Sequence, residues 1–120
     1  MADNRTTTQI LQEMLEVPGI KAILIVGKDG FVIEAAGAFG KTDLDNVGAS
    51  VATVILGTDK MSEELKIQAF NSLTFEAADA MIICVPIGDA LLVLLAPDNK
   101  TLGMIRLQVK KVVPALEKFF

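Results

Sequence analysis

Residues 42–65 read TDLDNVGASVATVILGTDKMSEEL, and no other stretch limits the fold as strongly. Wound as a helix at about 100° per residue, its apolar side chains span an unusually wide arc. Leu44, Val47, Val51, Val54, Ile55 and Met61 make one side, and Gly48, Ala49, Ala52 and Leu56 continue round it. What stays polar is a narrow stripe of Asn46, Ser50, Thr53, Gly57, Lys60 and Glu64, spaced four, three, four, three, four. One sheet face cannot cover so wide an arc. Periodicity sends Leu44, Gly48 and Ile55 towards a sheet, and leaves a second apolar flank for something else.

Composition agrees with that surplus. The chain of 120 residues is 52% hydrophobic and only 22% charged. That is apolar for one domain, and it implies that part of the surface is covered by a partner. No run nears the ~18 apolar residues of a membrane span. The opening MADNRTTTQ has no basic region followed by an apolar core, so no secretory signal is expected and the expected setting is cytoplasmic. A net charge of −4, scattered cations and the lack of Trp or Tyr argue against nucleic-acid binding. The single cysteine, Cys84, cannot form an intrachain disulfide and sits in a buried-strand context, IICVP.

Taken in order, Thr6, Thr7 and Thr8 offer caps for a helix to about Glu16, stopped by Val17-Pro18-Gly19. Residues 22–26 form a five-residue apolar run, the mark of a strand covered on both faces. Gly27-Lys28-Asp29-Gly30 is a hairpin signal, and residues 31–35 return as a strand. Thr42 or Asp43 caps the long helix. Residues 66–76 alternate in polarity, with Phe70, Ser72, Thr74 and Glu76 on one face, and predict an edge strand. Residues 80–87 and 90–96 are apolar throughout, predict central strands, and meet at Gly88-Asp89. A last helix carries Leu102, Ile105, Val109, Val112, Leu116 and Phe119, with Pro114 expected to kink it. The whole is one α+β domain, residues 1–120, ordered α-β-β-α-β-β-β-α. The expected sheet is five-stranded and antiparallel, with the long helix on one face and the terminal helices on the other.

Catalytic constellations are missing. There is no histidine, which removes histidine-based triads and Cys/His zinc sites. Asp43/Asp45 and Glu63/Glu64 read as solvated charge on helix surfaces. Residues 35–42, AAGAFGKT, approach the phosphate-binding G-x-x-x-x-G-K-[ST] pattern, but Ala35 stands where its first glycine belongs. That pattern also needs a parallel sheet. No catalytic residue, metal ligand or cofactor is assigned, and the chain is read as no enzyme.

The element order resembles the roadblock/dynein light-chain domain family, a profilin-like fold. The residues that carry the resemblance are Gly19-Ile20-Lys21-Ala22 leading to Val26-Gly27-Lys28-Asp29-Gly30-Phe31-Val32-Ile33, the Pro86-Ile87-Gly88-Asp89 turn, and Leu102-Gly103-Met104-Ile105-Arg106. The bacterial MglB-like branch is the nearest in character. The resemblance implies a homodimer in which long helices pack side by side and edge strands meet. Its contact would use Val47, Val51, Val54, Ile55 and Thr58 with Phe70, Ser72 and Thr74. It also implies a small Ras-like GTPase as partner, whose GTP/GDP cycle the dimer modulates; the alternative is a structural subunit with no nucleotide-state preference. The polar stripe of Asn46, Ser50, Thr53, Gly57 and Lys60 is then the expected partner face.

Overall fold

The computed structural model describes residues 3–120; Met1 and Ala2, the start of the expected domain, lie outside the described residues. The helices are α1 (Thr7–Met14), α2 (Leu44–Glu64) and α3 (Leu102–Glu117). The strands are β1 (Ala22–Gly27), β2 (Val32–Gly37), β3 (Leu73–Glu76), β4 (Met81–Ile87) and β5 (Ala90–Ala96). They form one sheet in the order β2-β1-β5-β4-β3, antiparallel at every pairing. The three apolar runs are its three central strands, as their two-sided apolarity predicts.

Local chemistry sets the element ends. Thr6 caps α1: its hydroxyl accepts the Gln9 N–H at 3.1 Å while the Gln9 side chain accepts the Thr6 N–H at 2.7 Å, a reciprocal capping box. Asp43, not Thr42, caps α2 by accepting the Asn46 N–H. The first hairpin is wider than a two-residue turn. Gly30 sits at φ +91, Phe31 remains in the turn, and a bulge in β2 shifts the register between Ile25 and Val26. α3 continues through Pro114 to Glu117, although proline removes the helical partner of the Lys110 carbonyl.

The expected edge strand is shorter than its alternation suggests. Lys66 adopts φ +58 and the Ile67 N–H returns to the Ser62 carbonyl, which turns the chain sharply off α2. Pairing with β4 starts at Leu73 opposite Cys84. Continuing that register would set Asn71 opposite Pro86. The Gly88-Asp89 hairpin makes Ile87 and Ala90 the closing bonded pair, so alternation aims the Pro86 backbone at β3, where it has no N–H to give. Phe70 and Ser72 therefore lie outside the strand, and only Thr74 of the three is in it.

Two cores flank the sheet. α1 and α3 close the larger one, with Ile10, Met14, Ile105, Val112 and Leu116 over Ile23, Ile83, Leu92 and Leu94. The other is small: Leu24, Val26, Ile55, Cys84, Leu91 and Val93 are its buried members. The cause is where α2 lands. It packs on β1 and β2, and a Cβ at Gly48 would lie 2.4 Å from the Gly30 carbonyl oxygen. Only glycine permits that approach. Gly48→Ala should therefore lower stability by about 1 kcal/mol or more, since the overpacking cost of about 1–3 kcal/mol exceeds the gain in helix propensity. Gly57 has open space around its Cα, and Gly57→Ala should raise stability by about 0.5–1 kcal/mol. Urea midpoints at one fixed protein concentration measure both.

Candidate protein-interaction surface

Because α2 lies over β1 and β2, the same sheet face is bare towards β3. An apolar groove of about 390 Å³ opens there. Val47, Val51 and Val54 make one wall, Phe75 and Ile82 the other, and Cys84 lies at the bottom. Val54 is 47% exposed and Phe75 50%, which is costly for side chains of this kind in water. Beyond the groove, β3 offers a free strand edge. The Thr74 hydroxyl oxygen is buried there without a hydrogen-bond partner.

The residues expected at a self-contact divide. Val47 and Val51 are half-buried against their own core while also walling the groove. Val54 is free. Thr58 is half-buried, its hydroxyl donating to the Val54 carbonyl at 2.8 Å. Ile55 is 5% exposed within its own chain and lies in the small core, on the sheet side to which periodicity sends it, with little surface left for a second copy. Phe70 packs on the small core, and Ser72 is exposed beside the sheet. Asn46, Ser50, Thr53, Gly57 and Lys60 are all exposed on α2; Asn46 and Ser50 also line the groove, while Thr53, Gly57 and Lys60 do not. Two hydroxyls of that stripe are engaged by their own helix, Ser50 with the Asn46 carbonyl at 2.9 Å and Thr53 with that of Ala49 at 3.0 Å.

Leu65, Ile67 and Phe75 were not among the expected surface residues, yet they are exposed at 62%, 62% and 50%. A signal for Phe75 existed: it shares a strand face with Leu73, which packs on the α2 side. Leu65 and Ile67 flank the Lys66 turn, which no periodicity reveals.

Chemistry is poorly served. Burial pushes the Cys84 thiol up to about 11, so at neutral pH it is protonated and a weak nucleophile. Among the described residues no cluster of His, Cys, Asp and Glu is placed to hold a metal ion. The phosphate-loop lookalike runs along β2, an antiparallel edge strand, into a helix whose first N–H donors face the Asp43 carboxylate. A phosphate there would meet Asp43 and Asp45. No helix among the described residues is long and apolar enough to cross a membrane.

The uncharacterized protein MJ0714 of Methanocaldococcus jannaschii is 28% identical over 112 residues, covering 93% of this chain and 94% of that protein. Myxococcus xanthus MglB superposes with a TM-score of 0.87 at 22% identity, over 97% of this chain and 98% of that one. The gliding protein MglB of Thermus thermophilus gives 0.84 at 24% identity, over 92% and 85%. At these identities the superpositions establish the shared fold. The model of the Roadblock/LC7 domain matches residues 6–96, from the cap of α1 to the end of β5. The chain belongs to the Roadblock/LC7 domain family.

Proposed function

We propose that this protein is a non-catalytic regulator that pairs with a second copy of itself and binds a small Ras-like GTPase in the cytoplasm. The half-covered sheet face carries the proposal. An apolar groove beside α2, continuous with a free β3 edge, fits a second α2 laid against the first while the two β3 edges meet. Val54 and Phe75 would leave water. Thr58 can enter such an interface dry, because its hydroxyl is already bonded.

Family membership and the resemblance to MglB-like proteins support the GTPase as partner. Side-by-side α2 helices would join their outer stripes into one surface. Small side chains at Ser50, Thr53 and Gly57 let a partner's backbone come close. With no reactive group on that surface, the effect on the GTPase is differential affinity: the dimer favours one nucleotide state by binding it more tightly.

Two measurements test this. Light scattering at micromolar concentration should give twice 12.8 kDa. Val54→Asp should give a folded monomer, because an unpaired charge buried at the seam costs roughly 3–5 kcal/mol while the single chain leaves Val54 in water. A monomeric wild type would contradict the pairing. For the second, affinity for a cognate GTPase loaded with GTP or GDP should differ at least about ten-fold, or about 1.4 kcal/mol. Gly57→Arg should abolish that binding and keep the dimer. Equal affinity for both states would make the protein a scaffold subunit instead.

A further inference from the structure

The opposite sheet face holds a second opening. α3 crosses β4, and because Phe70–Ser72 do not pair with the Pro86 end of that strand, a groove of about 670 Å³ remains between them. That is within the range of about 300–1,000 Å³ typical of ligand-binding clefts. Ile83 and Val85 form its floor, and Val109 and Val113 of α3 one wall. Its lip carries two cations, Arg106 and Lys110, one helical turn apart and both exposed. Among the described residues the ion pairs are those of Arg5 with Asp3 and Glu13, and neither Arg106 nor Lys110 takes part in one. Glu117 lies at the far end. A chain of net charge −4 thus sets two unpaired cations over an apolar cleft.

We infer that this groove docks an acidic amphipathic segment of a partner protein, its apolar side chains on Val85, Val109 and Val113 and its carboxylates on Arg106 and Lys110. The Arg106 fork suits a carboxylate held by two parallel bonds, and Lys110 adds a second positive charge one turn on. Because the groove is on the α1/α3 face, the α2 surface stays free, and the two can be filled together. The inference does not rest on the GTPase reading. Phe70 and Ser72 bring one wall of the groove close to the β3 edge, so a second copy of this chain is the competing occupant.

The test uses the full chain and two fluorescent helical peptides. One has leucine at helical spacing with glutamate elsewhere; the other has lysine for every glutamate. The glutamate peptide should bind saturably and at least about ten-fold tighter than the lysine peptide. Arg106→Glu with Lys110→Glu should weaken it about ten-fold or more while the light-scattering mass and circular dichroism stay unchanged. Arg106→Gln with Lys110→Gln should give an intermediate loss, and serves if the charge reversal fails to fold. Val54→Asp should leave peptide affinity intact even where it abolishes self-pairing. Equal binding of the two peptides, or unaltered binding by both double variants, would overturn the inference. So would a change in assembly mass on reversing the two charges, which would give the groove to a second copy.

Discussion

With no side chain at Gly48, α2 descends onto the Gly30 carbonyl, and the layout of the α2 face depends on that contact. It ties the helix to the turn between β1 and β2, at one side of a five-stranded sheet. A helix is about 10 Å wide and cannot reach across five strands spaced about 4.8 Å apart, so the far half of the face stays open. The apolar surplus in the composition is the same fact at the level of sequence. Phe75 is exposed in the single chain because α2 is anchored over the other strands, and Val54 is exposed because it lies on the flank of α2 that faces the uncovered half of the sheet.

Pro86 has the corresponding role near the other edge. It is accepted in an interior strand because its nitrogen points to the side where no bond is made. The ladder stops at Cys84, and the chain before β3 runs free. One residue thus shortens the edge strand and opens the cleft beneath α3. The two openings have separate causes on separate faces, a missing Cβ and a missing N–H.

Most of the architecture was legible because it rests on signals with local causes. The last central strand is bounded by Gly88-Asp89 and Pro97, and a continuous apolar run between such stops leaves little choice: it spans Ala90–Ala96 as read. The site was legible only in outline. A helical wheel turns Leu44, Gly48 and Ile55 towards the sheet but does not say which strands they land on. That took the Gly48–Gly30 contact, which sets α2 over β1 and β2 with Ile55 in the small core. Phe70 and Ser72 misled for another reason. Alternation tells which way side chains point, but a strand also needs a neighbour able to bond, and the neighbour at that register is a proline.

The hydroxyls of α2 have a further consequence. Ser50, Thr53, Thr58 and Ser62 each donate to the carbonyl four residues back. A helix rich in such residues looks hydrophilic on paper, but its hydroxyl protons all face inwards to its own backbone. The outward face is therefore a contoured surface with few directional demands. If it is the partner face, it would sort partners by bulk over Gly57 and would need no matching acceptor for the Ser50 and Thr53 hydroxyls, whose protons are already engaged. On the proposed reading, such a face would tell two shapes of a partner's contact region apart by steric fit over Gly57 rather than by matched hydrogen bonds.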